Sequence, residues 1–440
     1  MIHWKEFFQF EEQNGLFQLE EEGFFIWDIL RLQVYLDYMW EDQMNLVSRK
    51  KTSHKIRLSF SRILYLAIFL FKKSKPNLFF VNSRDKTPDG RYYDKNANDF
   101  LERLYRDSHI IETHQVKPRK YLYPISILHP VTLFNQLLRP FYKRKDYTFI
   151  LNKINGSLGL RWDNKGINRI INDFKSETLF YTLLFRYKKV KRVFVVQNGA
   201  QKALFHAAKK RNIQTIEFQH GIIDQGHIAY NYPPGITAQA PIYVPDILLT
   251  FSPFWGRDIN YPVGQILPMG NNSFARPGLT PLKSAFEDKH IGFISADVFG
   301  RTLTELAKEY AALHPDETLL FKLHPNEFIR KKEYVSRFSQ FPNVMVITDD
   351  YPTETLMLIC DAFVMIQSTL AYEALQLKKP VFIYKQMTYY RHEHIFDHPN
   401  VLLIDRAEEI IVPGNINKNA YYTFFEKFDE NAYNQFTNTH

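Results

Sequence analysis

Two polar segments in the C-terminal half of the chain combine residue types that suit an anion. In FKLHPNE, a strand-like run stops at His324, because Pro325 has no N–H for the ladder and disfavours a helical conformation in the residue before it. In QSTLAYEAL, Ser368 and Thr369 stand between an apolar run and a helix-like segment. An imidazole, hydroxyls and the first amides of a helix all donate to phosphate oxygens. We therefore expect His324, Ser368 and Thr369 to form one phosphate-binding site.

Other residues near these strand ends belong to the same predicted donor-binding group. Pro325 shapes the turn, Ser295 ends another apolar strand, and Glu373 lies near the start of the following helix, where a carboxylate can accept from ribose hydroxyls. Three more His-Pro pairs occur in the chain, so the dipeptide alone has no weight. His324 is distinguished by the β-run before it and by the matching Ser-Thr strand end. The competing interpretation is a capping histidine beside an ordinary helix N-cap.

The N-terminal half has its own polar strand ends, and they carry candidates for a general base. His220 is the first choice, because it follows the apolar run IQTIEF and has a near-neutral intrinsic pKa. A purely structural hydrogen bond that orients the loop is the competing role for His220. Asp224, Asp85 and Asp89 are the alternative bases. For Asp85 and Asp89, turn capping through the side chain competes with catalysis.

The loops around these candidates predict contacts to the sugars. Gln219 and Gly221 flank His220 in the sequence QHG, and His227 lies in the same loop. Asn198 belongs to QNG, which follows the apolar run VKRVFVV. We expect these four residues to contact the acceptor or the donor sugar.

Short apolar runs that alternate with helix-like segments predict the elements that position these residues. Alternation of this kind indicates parallel sheets with right-handed crossovers, so that the polar strand ends share one rim of each sheet. The predicted class is α/β, with two Rossmann-like domains facing a cleft. Strands are expected at residues 77–83, 190–196, 213–218, 247–251, 265–269, 291–295, 319–323, 344–348, 362–366, 381–384 and 401–404.

Composition shifts along the chain predict the domain boundaries. Residues 272–289 bring Pro, Gly and charged residues together without periodicity, which indicates a linker. We expect an acceptor-binding domain with a helical N-terminal segment at 1–271, a donor-binding domain at 290–414, and a tail at 415–440 that packs back as an amphipathic helix or frays. Residues 109–183 are hard to divide, and the sequence LHP within them has no clear strand before it.

Composition bounds the class of protein. The 440 residues are 45% hydrophobic, which is enough for two full cores. The single cysteine, Cys360, lies in an apolar run, which indicates a buried inert thiol and a reducing compartment. The N-terminus lacks the pattern of a signal peptide, so a cytoplasmic location is expected. The net charge of +9 fits a phosphorylated donor or an anionic membrane, and no nucleic-acid-binding motif accompanies it.

One apolar run, ILYLAIFLF at residues 63–71, has lysines and arginines on both sides. It is far shorter than the roughly 20 residues that span a bilayer. The run fits either a core helix with solvated basic ends or a segment that lies on the inner face of the cytoplasmic membrane.

FKLHPNE followed by QSTLAYEAL resembles the HP motif and the Ser/Thr motif of GT-B-fold glycosyltransferases that build bacterial capsule and lipopolysaccharide. The pair is similar to that of enzymes using CMP-sialic acid or CMP-Kdo and, more distantly, to that of CDP-polyol transferases. The resemblance covers the C-terminal half, while the N-terminal half is similar in layout and in QHG. It implies that His324, Ser368 and Thr369 contact the donor phosphate, and that no bound metal or other cofactor is needed.

The expected activity is therefore transfer of a sugar from a nucleotide-activated donor, with CMP as the best guess, to a glycan or lipid-linked glycan. A single displacement would invert the anomeric centre. Two rivals remain at this point: a nucleotide-sugar epimerase on the same fold, and a non-catalytic partner in polysaccharide assembly.

Overall fold

The structure is a computed structural model that describes residues 4–44, 68–113, 119–196, 199–275, 290–296, 300–349, 353–386, 388–414 and 422–439. The chain forms two compact units. The first unit comprises residues 1–250, 259–273 and 430–440, and the second comprises 251–258 and 274–429.

The first unit contains a seven-stranded parallel sheet and two short hairpins. Its strands are β1 Glu20–Glu21, β2 Phe24–Phe25, β3 Asn77–Val81, β4 Asp85–Lys86, β5 Tyr92–Tyr93, β6 Ser108–Glu112, β7 Ile127–Leu128, β8 Arg192–Val196, β9 Gln214–Phe218, β10 Ile247–Thr250 and β11 Gln265–Pro268. Its α-helices are Trp4–Gln13, Ile26–Met44, Asn98–Leu104, Val131–Leu138, Thr148–Leu158, Asn164–Lys188, Lys202–Lys209 and Glu430–Thr439. The four residues of the short helix Asn272–Ala275 are divided between the two units.

The strand order of the large sheet is β11-β10-β9-β8-β3-β6-β7. The chain starts in the middle at β3, moves to one side through β6 and β7, and returns to the other side through β8. Every residue of β3 is buried, as expected for a parallel strand covered by helices on both faces. The reversal between β3 and β8 is a topological switch point, where open α/β sheets bind ligands.

The second unit contains a six-stranded parallel sheet. Its strands are β12 His290–Ile294, β13 Thr318–Lys322, β14 Val344–Ile347, β15 Ala362–Met365, β16 Val381–Tyr384 and β17 Val401–Ile404. Its α-helices are Gly300–Leu313, Lys331–Arg337, Thr353–Ile359 and Leu370–Gln376, with 3₁₀ segments at Pro325–Arg330, Tyr389–Ile395 and Ala407–Glu409.

The order β14-β13-β12-β15-β16-β17 corresponds to 3-2-1-4-5-6 in chain order, which is the strand order of the Rossmann fold. The switch point lies between β12 and β15. In the register, Ile294 is opposite Lys322 on one side and Met365 on the other. The residues that follow these three positions therefore leave the sheet side by side.

The predicted class of two α/β domains with parallel sheets is confirmed. All the predicted strands are present, with ends that differ by at most two residues. Two strands in the undivided region were missed. They are β6 and the two-residue β7, which directly precedes His129, so the statement that LHP has no strand before it is wrong. Polar and aromatic residues obscure the β pattern in both.

Two segments belong to a different unit from the one that their sequence neighbours suggest. Residues 251–258 belong to the second unit, where the Trp255 indole donates to the Phe424 carbonyl (2.7 Å) and Phe254 packs edge-on against the Phe424 ring. The final helix belongs to the first unit, where Tyr433 packs on Phe100 with ring centroids 5.1 Å apart. Aromatic contacts between residues far apart in sequence decide both placements.

None of the helices in the described residues is both long enough and apolar enough to cross a bilayer.

Candidate functional site

Three adjacent strand ends of the second unit carry the predicted donor-binding residues. Ser295 follows β12, His324 follows β13 by two residues, and Ser368 follows β15 by three. Because neighbouring strands lie about 4.8 Å apart, the ends of β13 and β15 are separated by about 10 Å with β12 between them. The sheet therefore brings these predicted residues to one edge, at the switch point.

His324 caps the 3₁₀ segment Pro325–Arg330. Its backbone is extended, and its Nδ1 accepts a hydrogen bond from the Asn326 amide (3.2 Å). Pro325 takes the first helical position, where its missing N–H costs nothing. With Nδ1 acting as an acceptor, the neutral imidazole carries its proton on Nε2. The cap thus leaves an N–H donor that can reach a ligand.

Glu327 completes this cap and was not predicted from the sequence. Its carboxylate is fully buried and accepts from the His324 amide (3.0 Å) and from the Ser295 hydroxyl (2.5 Å). It also accepts from the Tyr334 hydroxyl, and burial beside this carboxylate raises the pKa of Tyr334. A single buried carboxylate therefore ties the end of β12 to the end of β13. The capping-box spacing, a cap residue followed by Glu three positions later, could have revealed it.

Gly300, the first residue of helix Gly300–Leu313, lies directly against this carboxylate. A Cβ at this position would lie 2.2 Å from the Glu327 Oε1 and 2.6 Å from the Ser295 Oγ. Only glycine lets the helix start so close to the buried group. The positive end of the helix dipole also favours a carboxylate there.

The Ser368 segment differs from the prediction that the first backbone amides of its helix are available to donate to a phosphate. The Ser368 amide donates to His392 Nε2 (3.1 Å), and the Leu370 amide donates to the Ser368 Oγ (3.2 Å). The expectation is therefore wrong for these two amides. The Ser368 hydroxyl acts as an acceptor in this cap, so its own proton remains to donate. Thr369 is half buried and precedes the helix by one residue.

His392 was not predicted and holds this strand end in place. It is completely buried, and burial lowers its pKa to about 3, so the ring is neutral. Nε2 accepts from Ser368, so the proton is on Nδ1, which lies 3.0 Å from the Tyr372 hydroxyl. Tyr372 then donates to His394 Nε2 at 3.0 Å. This chain of bonds fixes both the tautomer of His392 and the path of the backbone at Ser368.

Glu373 lies in the first turn of helix Leu370–Gln376 and is half buried. Gln367, just before Ser368, accepts from the Thr388 hydroxyl (2.6 Å). The strand end after β15 is therefore held by the 388–394 segment on one side and continued by a short helix on the other.

Together, these side chains form an edge that offers hydrogen-bond donors. The free donors are the His324 Nε2–H in its neutral tautomer and the Ser368 hydroxyl, while Ser295 is buried and donates to Glu327. Such an edge can bind an anion without a metal. Among the residues that the structure describes, no group of three His, Cys, Asp or Glu side chains is placed to hold a metal ion.

The QHG sequence forms a braced turn in the first unit. The Gln219 amide extends the ladder to the Leu249 carbonyl (2.9 Å), and its side chain donates to the Gly221 carbonyl (2.9 Å). Gln219 is buried and His220 is half buried at the end of β9. His220 therefore lies one strand away from the switch point between β3 and β8. Asn198, predicted at the end of β8, is outside the described residues.

The loop after QHG is held by buried polar groups. Asp224 is 3% exposed, and His227 packs edge-on against Tyr230 with ring centroids 4.8 Å apart. The Tyr230 hydroxyl donates to the buried Glu217 (2.6 Å) on β9. Burial of Asp224 makes it a less accessible base than His220.

The N-terminal helices also hold this loop. Arg31 forms a buried ion pair with Glu11 (2.6 Å) and donates to the carbonyls of Ile228 (2.5 Å) and Asn231 (3.0 Å). Burial of an arginine is favourable only when its donors are paired, and here carboxylate and carbonyls pair them.

Asp85 and Asp89 lie in the hairpin formed by β4 and β5. Asp89 is largely exposed and accepts from Arg91 Nε (2.6 Å), and its hydrogen bond from Thr87 lowers its pKa. These contacts fit the turn-capping role. Asp85 is about one-third exposed and lies 3.9 Å from the Lys95 ammonium.

Two buried carboxylates that the sequence analysis missed hold the loop after β3. Asp94 accepts from the Asn82 amide (2.8 Å) and the Asn96 amide (3.0 Å), and burial raises its pKa to about 6. Glu112, at the end of β6, accepts from the Ser83 amide (3.1 Å). The Asp-x-Asn spacing at residues 94–96 is typical of an Asx turn and was a usable signal.

Comparison with known families places the strand ends of the second unit in a recognised region. Residues 276–393 match the model of a family described as Capsule polysaccharide biosynthesis protein. The match includes Ser295, His324, Ser368 and His392, and it covers less than half of the chain. Comparison with curated proteins gives no match.

Three solved structures illustrate the likeness in fold. The UDP-GlcNAc 2-epimerase of Methanocaldococcus jannaschii, in complex with UDP-GlcNAc and UDP, is 14% identical with a TM-score of 0.46, covering 82% of this chain and 98% of that chain. The glycotransferase of kitacinnamycin is 13% identical with a TM-score of 0.45, covering 76% and 86%. The wall teichoic acid polymerase TagF is 13% identical with a TM-score of 0.36, covering 80% and 78%. At TM-scores below 0.5, these alignments carry no information on what this chain binds.

Proposed function

We propose that this chain is a glycosyltransferase of bacterial surface-polysaccharide synthesis, which transfers a sugar from a nucleotide-activated donor to a glycan hydroxyl. The observation that carries the proposal is the set of adjacent strand ends at the switch point of the second unit. Ser295, His324 and Ser368 lie there, inside the span that matches the capsule family. This is the position where open α/β sheets bind ligands.

In this proposal the donor phosphate is bound by His324 Nε2–H and by the hydroxyls of Ser368 and Thr369. Glu327 and His392 position the two strand ends, and Glu373 accepts from ribose hydroxyls. The edge supplies its donors from neutral groups, and their hydrogen bonds to an ionised phosphate are stronger than bonds between two neutral groups. The best guess for the donor remains a CMP-linked acidic sugar such as sialic acid or Kdo, which is supported by the likeness of the HP and Ser/Thr motifs.

The proposed reaction is a displacement at the anomeric carbon. The acceptor oxygen forms a bond to that carbon while the bond to the phosphate oxygen breaks, and the nucleotide leaves with the electron pair. The acceptor proton passes to a base of the first unit, for which His220 is preferred. One such step inverts the anomeric configuration.

Thermal unfolding in the presence of CMP, CDP, UDP and GDP tests donor binding. We expect CMP to stabilise the protein most, because any ligand that binds only the folded state raises its stability. Stabilisation by UDP or GDP alone would contradict the CMP assignment. No stabilisation by any of the four would contradict the donor site itself and favour the non-catalytic alternative.

The variant His324→Asn separates the ligand role from the cap. Asn is a good N-cap residue, so it keeps an acceptor for the Asn326 amide while it removes the Nε2–H. We expect unchanged unfolding without ligand but at least about tenfold weaker nucleotide binding, because a charge-assisted hydrogen bond contributes about 1.5–3 kcal/mol. Wild-type affinity in this variant would contradict the role of His324. Isomerisation of a donor supplied without acceptor would favour the epimerase.

A further inference from the structure

A large apolar cavity lies in the first unit, among elements that carry none of the predicted site residues. Its volume is about 810 Å³, within the range of about 300–1,000 Å³ typical of small-molecule sites. It is lined by the helical turn at 68–71, by residues of β6 and β7, and by helices Val131–Leu138 and Asn164–Lys188. Arg186 is the charged residue of this lining. The cavity therefore suits a hydrocarbon chain with an anionic head.

The helical turn at the cavity mouth is held by a buried lysine. Lys188 is fully buried, and its ammonium donates to the carbonyls of Phe69 (2.7 Å) and Lys72 (2.6 Å), which are orphan acceptors at the end of the turn. The same ammonium lies 4.6 Å from the centre of the Phe69 ring. Lys188 thereby holds the turn in place and sets the direction of the exposed Phe71 side chain.

Large apolar side chains around the cavity mouth are exposed to solvent. Phe71 is 89% exposed. Leu183 and Tyr187, four residues apart on one face of their helix, are each about half exposed. Contiguous apolar side chains of this kind mark an interaction surface.

Basic residues are concentrated next to the cavity mouth. Residues 186–192 contain five Lys or Arg residues and no Asp or Glu, whereas the acidic Asp173, further back on the same helix, is paired with Arg139. Lys72 and Lys73 directly follow Phe71. The surface is therefore complementary to an anionic one. A second copy of this chain would bring like charges together, because a two-fold interface pairs a patch with itself.

We propose that this face of the first unit docks on an anionic lipid bilayer. Phe71 and its apolar neighbours enter the lipid, Lys72 and Lys73 contact head groups, and the cavity receives one hydrocarbon chain of a membrane lipid. The proposal goes beyond the glycosyltransferase assignment and does not depend on it, since no predicted site residue takes part.

Co-sedimentation of the full chain with vesicles tests the docking. We expect binding to phosphatidylcholine vesicles that contain phosphatidylglycerol, and much weaker binding to phosphatidylcholine alone. Phe71→Asp should reduce the partition coefficient at least about tenfold, in line with the loss of a buried aromatic side chain. Replacing Lys72 or Lys73 by Gln should reduce it about fivefold each.

Ile329→Asp is the matched control, because Ile329 is 93% exposed in the second unit and lies outside this face. It should bind vesicles like the wild type, with all variants checked by thermal unfolding. Equal binding to neutral and anionic vesicles, or undiminished binding of Phe71→Asp, would overturn the proposal. So would a concentration-dependent dimer that Phe71→Asp abolishes in a protein that binds no vesicles.

A fluorescent reporter tests the cavity. In Tyr187→Trp, an indole would lie at the cavity lining, and lipids brominated along their chains should quench its added fluorescence. The wild type, with its own five tryptophans, provides the background. Vesicle binding without additional quenching would overturn the cavity as the seat of a lipid chain.

Discussion

The two parallel sheets have the same strand order at their centres but use their switch points differently. In the second unit, β12 and β15 meet with Ser295 and Ser368 just beyond them, and His324 follows on the next strand. In the first unit, β3 and β8 meet in the same way. There the loop after β3 is bound to two buried carboxylates, Asp94 and Glu112.

Both units thus use buried carboxylates to hold strand ends. They differ in the hydrogen-bond donors that remain unused there. In the second unit, Glu327 accepts the His324 amide from below and leaves the imidazole and hydroxyl donors at the edge. In the first unit, the amides after β3 are used up by the carboxylates. The second unit therefore leaves hydrogen-bond donors at its edge, as the proposed phosphate site requires, whereas the first unit holds a loop and places His220 one strand further away.

The largest expected effect is that of Gly300→Ala, whose methyl group would clash with the buried Glu327 carboxylate of the second unit. The new Cβ would meet the Glu327 Oε1 at 2.2 Å, so the helix start or the buried network must move. We expect a loss of about 4 kcal/mol or more in unfolding free energy, measured by urea denaturation.

The first unit supplies a matched control for this variant. Gly221→Ala adds a Cβ that meets no atom within 4 Å, and it should change stability by less than about 0.5 kcal/mol. Equal effects of the two substitutions would mean that the Glu327 network does not restrict the start of the helix.

Glu327→Gln keeps the shape of the side chain but turns an NH₂ group toward donors. Ser295, Tyr334 and His324 all donate to the carboxylate, so at least one of them loses its acceptor. We expect destabilisation by about 3 kcal/mol together with weaker nucleotide binding. Glu333→Gln, at a partly exposed carboxylate of the same unit, should change neither. Wild-type stability in Glu327→Gln would show that the carboxylate does not tie the strand ends together.

The carboxylates of the first unit predict a pH dependence. The folded-state pKa of Asp94, about 6, lies above its unfolded value, so its contribution to stability is complete below about pH 4 and is lost as the pH rises through 6. The loss amounts to about 3 kcal/mol. In Asp94→Asn, unfolding free energy measured between pH 4 and 7 should fall less steeply than in the wild type. An unchanged slope in Asp94→Asn would refute the assignment.

The smallest expected effect concerns the cap at the end of β13. His324→Ala removes the acceptor of the Asn326 amide and should cost about 1 kcal/mol of stability, while His324→Asn should restore it. Thermal unfolding of both variants without nucleotide measures this difference. Identical unfolding of the two would show that the cap contributes nothing, and the histidine would then serve the ligand alone.

Much of the fold could be read from the sequence, because a buried parallel strand is a short apolar run between polar loops. β12, β13 and β15 were of this kind. β6 and β7 were missed because His109, Glu112 and the Pro-rich surroundings of Ile127 break the apolar pattern. β6 pairs with β3 and β7 pairs with β6, so each strand is completed by hydrogen bonds to a neighbour that its own sequence does not indicate.

Some residues of the candidate site could also be predicted from the sequence, and others could not. His324, Ser368 and Thr369 were predicted from the type of residue at a strand end, which is a local property. The local capping-box spacing could indicate Glu327 as a cap residue. Its bond to Ser295 and the bond of His392 to Ser368 join residues 32 and 24 positions apart, which no local pattern contains. Asp89 is the opposite case, since a polar loop residue proved to bond within its own turn.

For FKLHPNE, the sequence by itself determined that a strand stops at His324, because proline cannot continue the ladder and restricts the residue before it. Only the tertiary structure decided which nitrogen of that histidine faces outward. Nδ1 is used by the Asn326 amide, and the buried Glu327 fixes the backbone, so Nε2 carries the proton that the proposal assigns to the donor phosphate. The strand end is a local consequence of steric rules, whereas its chemistry depends on a carboxylate that becomes buried only when two strands and a helix come together.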